Sequence, residues 1–280
     1  MLEPLQDEFM RRAVVEATLI GVAGGALGCW VVLYRLSYAA ESLAHSIFPG
    51  LVLAALAGVP LLLGAAPGIV LAALAIVLAS RVPGVGREVA IGVVVTTLFG
   101  LGALLALSAD SPPGLGEILF GDILGPTDAD LAAAAVLALA VASCLPALHG
   151  RLLAGGFDRG AARSLGAAPG AVEAALLVLL AAAIVVAVQG LGNLLAVAVF
   201  VGPAATARQL TERVAPMIAL SVAIAVLAGI AGLYLSYYAG TAAGASIALA
   251  IVALYLLALP LGRLVSARLG KRPPAAATIG

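Results

Sequence analysis

Long apolar stretches, separated by short polar or glycine- and proline-rich connections, run through nearly the whole chain. A helix needs about 20 apolar residues to cross a bilayer. Proline and glycine inside several stretches predict that some helices are broken or re-entrant, so about eight or nine full crossings are expected. The pattern predicts an all-α polytopic membrane protein that forms a single transmembrane domain over residues 1–280. The predicted helices lie near residues 14–34, 38–58, 60–80, 89–108, 129–148, 171–190, 192–208, 216–238 and 244–261.

The composition agrees with this pattern and excludes several classes of function. The chain has 280 residues, of which 64% are hydrophobic and 10% are charged, whereas a soluble domain carries about 25% charged residues. A net charge of zero gives no support for nucleic-acid binding. Lys271 is the only lysine and is followed by Arg272, so the phosphate-binding motif GxxxxGK[ST] cannot occur. The chain is therefore expected to be a membrane protein that does not itself hydrolyse ATP.

Basic residues predict the orientation of the helices, because positively charged loops stay in the cytoplasm. Alternate loops and the C-terminal tail, at about 262–280, are therefore expected to be cytoplasmic. Arg11 and Arg12 do not fit this scheme: either the N-terminus is extracytoplasmic against the rule, or an early segment does not cross. Glu16 is expected to pair with Arg12 at a membrane interface. The basic residues of these loops and of the tail are Arg81, Arg87, Arg151, Arg159, Arg163, Arg208, Arg213, Arg263, Arg268, Lys271 and Arg272.

The longest outer connection, at about 109–129, carries acidic residues and neither lysine nor arginine. Glu117, Asp122 and Asp128 are its candidate functional residues. Acidic side chains at the mouth of a pathway would concentrate cations. The alternative is that Asp128 and the following Asp130 are favoured at a helix N-terminus by the helix dipole, while the other acids are simply solvated.

Glu41 and His45 lie inside the apolar stretch 38–58 and are the candidate metal ligands. A spacing of four residues places both on one helix face, where a carboxylate and an imidazole can bind one divalent cation. Polar groups in hydrocarbon are costly unless they face a partner or water. Pro49-Gly50 predicts a break or kink, and broken backbone beside polar ligands is typical of transporters. The alternative is a hydrogen-bonded Glu–His pair that joins two helices.

Two further pairs of polar residues lie within apolar segments. Thr96 and Thr97 fall in the stretch 89–108, where each hydroxyl is expected to bond to its own helix backbone. Gln189 and Asn193 are separated by one helical turn that contains two glycines, and they predict a polar bend between two segments.

The inner loop at about 155–170, GGFDRGAARSLGAAPG, predicts a short amphipathic helix. An aspartate can cap its start, an apolar side follows, and a glycine ends it. Such a helix can dock a soluble partner protein, or it can lie on lipid headgroups instead. The expected contact residues are Phe157, Asp158, Ala162, Leu165 and Gly166.

Taken together and in this order along the chain, these segments resemble the permease family of zinc, manganese and iron ABC importers. The resemblance extends over nearly the whole sequence and rests on several separate motifs. The matching stretches are RLSYAAESLAHSIFPG (Arg35–Gly50), REVAIGVVVTTLFGLG (Arg87–Gly102), EILFGDILGPTDADL (Glu117–Leu131), the FD loop (Phe157–Gly166), VQGLGNLLAVAVFVGPAATARQLTER (Val188–Arg213) and GLYLSYY (Gly232–Tyr238).

The resemblance implies a type II ABC importer-like permease in a bacterial inner membrane. Two such chains would form a homodimer, two ATPase subunits would dock on the FD loop, and an extracytoplasmic metal-binding protein would deliver the ion. The family's Asp–His pair falls on Glu41 and His45, with Glu in place of Asp. No cofactor is expected to be bound permanently: the transported ion is Zn, Mn or Fe, and ATP binds to the partner. The alternatives are a secondary metal/proton transporter and, more remotely, an intramembrane enzyme, each using this pair.

Overall fold

The computed structural model describes residues 3–59, 61–79, 82, 87–107, 123–157, 159–164 and 168–268. Within these ranges the chain is helical, without strands. A short 3₁₀ turn at Glu3–Gln6 is followed by the α-helices α1 (Glu8–Leu33), α2 (Ser37–Leu56), α3 (Leu61–Ala79), α4 (Arg87–Ala106), α5 (Asp128–Phe157), α6 (Arg159–Ser164), α7 (Pro169–Leu191), α8 (Asn193–Leu210), α9 (Val214–Ala239) and α10 (Ala243–Arg268).

Seven of the described helices are long and apolar enough to cross a membrane: α1, α2, α4, α5, α7, α9 and α10. Helices α3 and α8 contain shorter apolar segments, at Leu63–Ile76 and Leu195–Leu210. An α-helix rises about 1.5 Å per residue, so the 18 residues of α8 span about 27 Å, slightly less than a hydrocarbon core of about 30 Å. The fold class predicted from the sequence is confirmed, and the predicted number of crossings is approximately consistent with these helices.

Two helices continue well beyond the C-terminal ends that their apolar stretches predict. Helix α5 continues to Phe157, nine residues beyond the predicted end at 148, and α10 continues to Arg268. The prediction followed hydrophobicity, which ends where hydrocarbon ends, whereas helical hydrogen bonds continue into the polar interface. The first residues of the predicted tail, 262–268, are therefore helical, and residues 269–280 lie outside the described ranges.

The backbone break occurs between α7 and α8, and not in α2. Helix α2 continues through Pro49, which corrects the expectation of broken backbone beside Glu41 and His45. Gly192, with φ 79° and ψ 162°, separates α7 from α8. This conformation is open to glycine and strained for other residues. The polar bend predicted between Gln189 and Asn193 is confirmed by this break.

Glycine allows several helices to approach each other at backbone distance. A Cβ on Gly50 of α2 would collide with the backbone carbonyl of Gly64 in α3, and the reverse substitution would collide in the same way. On α1, a Cβ at Gly25 would lie 2.7 Å from the Cα of Val222 in α9. Membrane helices lack a hydrophobic force that separates them from lipid, so close packing of small residues is a main source of their association.

The directions of the helices follow from contacts at both ends of α1. Near its N-terminus, Arg12 forms an ion pair of 2.7 Å with Asp128 at the start of α5. Near its C-terminus, the Tyr34 hydroxyl donates a hydrogen bond of 2.8 Å to the carbonyl of Leu152 in the last turns of α5. Helices α1 and α5 are therefore parallel. The N-terminus lies on the same side as the acidic connection that precedes α5.

This arrangement bears on the alternatives that the sequence left open, because it places the N-terminus on the side of the acidic connection, which is the predicted outer side. Arg12 is on the predicted outer side, but its charge is neutralised by Asp128 and by Glu8, at 3.4 Å. Its guanidinium also donates a hydrogen bond of 3.2 Å to the carbonyl of Pro126. The positive-inside rule counts arginines in the sequence and does not register that a charge is paired in the folded protein.

Helices α2, α3 and α4 form a small bundle, in which α2 and α4 share an apolar cluster around Phe48 and Val52. The main core surrounds large buried side chains such as Trp30 and Phe200, and α2 contributes Ile47 and Leu51 to it. Helices α3 and α4 pack chiefly against each other and against α2, which in turn contacts α7 and α8. Helix α2 therefore connects this bundle to the rest of the molecule.

We expect Gly50→Ala to destabilise the protein by about 1–3 kcal/mol, because the added methyl group collides with the backbone of α3. Gly100→Ala in α4 is the matched control, since its Cβ would meet nothing within 4 Å. The control should be neutral or slightly stabilising, because alanine favours helix more than glycine does. Thermal unfolding midpoints of the purified variants in detergent would test this. Equal midpoints for both variants would contradict the proposed α2–α3 contact.

The orientation of α1 predicts that residue 6 is accessible from outside the cell. In right-side-out membrane vesicles, Gln6→Cys should react with a membrane-impermeant maleimide, because Gln6 is exposed on the side of the acidic connection. Ser164→Cys, on the opposite side of the molecule, should react only after the vesicles are permeabilised. The unsubstituted protein is the blank, because Cys29 is buried and Cys144 is partly buried. The reverse labelling pattern would show that the N-terminus is cytoplasmic.

Candidate metal-binding site

A cavity of about 380 Å³ lies between helices α2 and α4. It contains the two candidate ligands, together with aromatic, hydroxyl and apolar side chains. Its lining residues are Tyr38, Glu41, Ser42 and His45 from α2 and Gly92, Val95, Thr96 and Phe99 from α4. Each helix contributes positions spaced by three or four residues, which is one helix face. The cavity is therefore the place where one face of α2 meets one face of α4.

The predicted pair is brought together in this cavity. The Glu41 side chain is exposed and the His45 side chain is partly buried. Exposure of Glu41 leaves its carboxylate accessible from outside this chain, while His45 is held against the protein. A carboxylate and a neutral imidazole are ligands that suit Mn, Fe and Zn ions.

Aromatic packing fixes the position of the His45 ring. The imidazole meets the ring of Phe99 edge to face, with centroids 4.9 Å apart and an angle of 66°. Phe99 in turn lies 5.4 Å from the ring of Phe48, which is completely buried. Aromatic contacts of this geometry are favourable beyond simple burial. Phe99 was not identified from the sequence, although its spacing of seven residues from Gly92 places both on one face of α4.

Close approach of α4 to α2 depends on glycine at one end of their contact. A Cβ on Gly102 would lie 2.5 Å from the ring of Phe48. At the other end, a Cβ on Gly92 would lie 3.4 Å from the Tyr38 hydroxyl, which is an ordinary contact distance. These contacts also show that α2 and α4 run parallel. Gly102 lets α4 form the second wall of the cavity.

Most hydroxyl groups near the site bond within their own helix. Ser42 donates to the carbonyl of Tyr38 at 2.7 Å, and Ser46 donates to that of Leu43 at 3.1 Å. Thr97 donates to the carbonyl of Val93 at 2.7 Å, as expected from the sequence. Hydroxyls engaged in this way add little polarity to their surroundings.

A second cavity of about 440 Å³ lies on the other side of α2, between α3, α4 and α7. Its walls are formed by aliphatic residues such as Leu43, Ile69 and Leu177. It shares Tyr38 and Ser42 with the first cavity, but it contains no charged side chain. Its chemistry suits apolar groups and does not suit a cation.

The described residues of one chain supply only part of a metal site. Across the described ranges, no group of three or more His, Cys, Asp or Glu side chains is close enough to hold one ion. Glu41 and His45 give two candidate ligands, whereas zinc sites commonly have four. Further ligands would come from other residue types, from residues outside the described ranges, from water or from another chain.

The inner loop forms the short helix predicted there. Helix α6 follows directly after α5, and Ala162 on it is completely buried within the chain. Its neighbour Arg163 is exposed, so the accessible side of this helix is polar. Phe157 ends α5, while Asp158, Leu165 and Gly166 lie outside the described residues. Docking by these residues stays a prediction.

The outer acidic residues are only partly described. Asp128 lies in the first turn of α5 and pairs with Arg12, while Glu117 and Asp122 lie outside the described residues. Thr127 and Asp130 cap the helix reciprocally: the Thr127 amide donates to Asp130 Oδ2 at 2.9 Å, and the Asp130 amide donates to Thr127 Oγ1 at 3.3 Å. Asp128 and Asp130 thus occupy the helix N-terminal positions that formed the alternative interpretation.

Glu16 is buried in the core, which corrects the expected pairing with Arg12 at an interface. Its exposed fraction is 1%, and its Oε1 lies 2.5 Å from the position of an added Cβ on Gly190. Arg12 is occupied by Glu8 and Asp128 instead. The signal in the sequence was the position of Glu16 among Ala13, Ala17 and Ile20, which together form a buried face of α1.

The sequence profile of the ABC 3 transport family matches residues 6–262. The chain belongs to the ABC 3 transport family. It is 32% identical over 260 residues to the "Probable iron transport system membrane protein" of Haemophilus influenzae, covering 92% of this chain and 96% of that protein. It is 30% identical over 254 residues to the manganese transport system membrane protein MntC of Listeria monocytogenes, covering 91% of each chain.

A solved structure supports the same assignment. The chain superimposes on one chain of PsaBC from Streptococcus pneumoniae, solved in complex with Fab, with a TM-score of 0.87 and 30% identity. The match covers 95% of this chain and 98% of the other. The resemblance predicted from the motifs is therefore confirmed. This member of the ABC 3 transport family is a multi-pass membrane subunit of the permease type, and ATP hydrolysis takes place on a separate subunit.

Proposed function

We propose that this chain forms the translocation path of an ATP-driven importer for a divalent transition metal ion. The observation that carries the proposal is the cavity in which the carboxylate of Glu41 and the imidazole of His45 face the same space. The names of the relatives, which refer to iron and manganese, favour these two ions within the set of Zn, Mn and Fe. The ion is the transported substrate, so the site has to bind it weakly enough to release it.

Two copies of the chain would complete the site. One chain offers a single carboxylate–imidazole pair, and a two-fold axis beside α2 would bring a second pair to the same ion. Four ligands of this mixed type suit Zn, Mn and Fe. Exposure of Glu41 supports this arrangement, because its carboxylate is accessible to an ion shared with a second subunit.

Partner proteins would bind at the two ends of this path. On the inner side, the loop at 155–170 would receive an ATPase subunit, since it projects α6 beyond the end of α5. On the outer side, the acidic connection that includes Glu117 and Asp122 would attract cations or a basic surface of a metal-delivery protein. The chain would lie in a bacterial inner membrane, with its basic loops in the cytoplasm.

We expect His45→Ala and Glu41→Ala each to abolish metal uptake while ATP hydrolysis by the partner subunit persists. His45 would bind the ion as neutral imidazole beside an ionised Glu41 carboxylate. Glu41→Gln should also fail, because it retains size and hydrogen bonding but loses the charge. Glu41→Asp should retain partial uptake, because it retains the carboxylate. Uptake of ⁵⁴Mn by vesicles containing the complete transporter, with and without ATP, would measure these effects.

Two outcomes would contradict this assignment. Uptake that survives in a well-folded His45→Ala protein would exclude His45 as a ligand. Uptake that requires a proton gradient and is independent of ATP would indicate a secondary transporter. If the pair were structural only, Glu41→Gln would be mild and the alanine variants would fold poorly, which thermal unfolding in detergent would reveal.

The docking proposal predicts that Phe157→Ala weakens the contact with the ATPase by about 2 kcal/mol, through loss of a large apolar side chain. The ATPase should then dissociate in detergent, while the membrane subunit keeps its unfolding midpoint. Ser164→Ala, at an exposed position of α6, is the matched control and should leave the complex intact. Co-purification with a tagged ATPase would measure both. An intact complex with normal uptake in Phe157→Ala would show that this residue does not form the contact.

A further inference from the structure

Thr96 places a hydroxyl group on the α4 wall of the candidate metal site. It lines the cavity together with Glu41 and His45, and its side chain is exposed. It lies one helical turn after Gly92 and shares that face of α4 with Phe99, whose ring contacts His45. The hydroxyl therefore belongs to the second helix of the site, opposite the pair on α2.

The hydrogen bonds of Thr96 differ from those of the neighbouring hydroxyl residues. Ser42, Ser46 and Thr97 each donate to a carbonyl of their own helix, at 2.7, 3.1 and 2.7 Å. The Thr96 hydroxyl makes no such bond to another residue in the described part of α4 or of the helices around it. Hydroxyls in membrane helices commonly bond to the carbonyl four residues earlier. Thr96 departs from that pattern at the position that faces the cavity.

A hydroxyl oxygen would add a neutral oxygen donor to the ligand set. Glu41 supplies a carboxylate and His45 an imidazole, and the described ranges offer no third residue of either type nearby. Hard oxygen donors suit Mn²⁺, whereas Zn²⁺ accepts nitrogen and sulfur equally well. An added neutral oxygen would therefore favour manganese over zinc without adding charge that would retain the ion.

We propose that Thr96 contacts the transported cation through its hydroxyl oxygen and favours Mn²⁺ over Zn²⁺ at this site. The inference rests on the proposed function, since it assumes that Glu41 and His45 bind the ion. It assigns to α4 a direct part in selectivity, in addition to its role as the wall that positions His45.

Thr97 provides a matched control for this proposal. Thr96→Val and Thr97→Val make the same chemical change at adjacent positions of one helix, but Thr97 bonds to its own helix and does not line the cavity. Thr96→Ser retains the hydroxyl and removes only the methyl group. Unfolding midpoints of all three variants in detergent should stay close to that of the unsubstituted protein, because both threonines are exposed.

The test is equilibrium binding of Mn²⁺ and, separately, Zn²⁺ to the purified transporter without nucleotide. Thr96→Val should weaken Mn²⁺ binding by about 10-fold, the lower end of what loss of a supporting contact costs at metal sites. Its effect on Zn²⁺ should be smaller. Thr97→Val and Thr96→Ser should bind both ions as the unsubstituted protein does.

The outcomes separate this inference from the proposed function. Equal Mn²⁺ affinity in Thr96→Val and Thr97→Val would overturn the role of Thr96, and so would an equal loss for Mn²⁺ and Zn²⁺. Either result would leave the pair on α2 as the site if Glu41→Ala and His45→Ala abolish binding. Retention of binding in those two variants would overturn the proposed function itself.

Discussion

Direct contact between helix backbones is the constraint on which the arrangement of this protein depends. Hydrocarbon satisfies no backbone hydrogen bond, so each segment has to be helical before it packs. Which helices pack together then depends on how closely their backbones can approach each other. Gly50 with Gly64 sets the distance between α2 and α3, and Gly102 lets α4 reach α2. The candidate site exists because these contacts bring the α4 face within reach of Glu41 and His45.

The helix that carries the candidate ligands is also the connection between two parts of the molecule. Helices α3 and α4 pack chiefly on α2 and on each other, while α2 also contributes Ile47 and Leu51 to the larger core that the remaining helices surround. An ion bound between α2 and α4 would thus lie within the smaller bundle. Movement of that bundle relative to α7 and α8 would move both walls of the site together. Such an arrangement allows the surroundings of the ion to change while the distance between its ligands is kept.

The sequence predicted the positions of the helices and that Glu41 and His45 share one face of α2, because hydrophobic length and a four-residue spacing are local properties. It did not predict the α4 wall, since the rotation of one helix against another depends on packing that no local pattern records. Phe99 and Thr96 were therefore missed as partners of the site. Glu16 was misplaced for a different reason: its charge suggested an interface, although the sequence shows that its neighbours on α1 form an apolar face, which is buried. Pro49-Gly50 predicted a break or a kink, yet α2 is continuous through Pro49 and a break occurs at Gly192.

The pairing of Arg12 has a consequence for the order in which the chain enters the membrane. During synthesis α1 emerges with two arginines at its predicted outer end, an arrangement that favours the opposite orientation. Glu8 is available at once, but the carbonyl of Pro126, which accepts a hydrogen bond from Arg12, is 114 residues later in the chain. Asp128 follows two residues after that. The first helix can thus acquire its full set of charge partners only after α5 has begun to emerge from the ribosome.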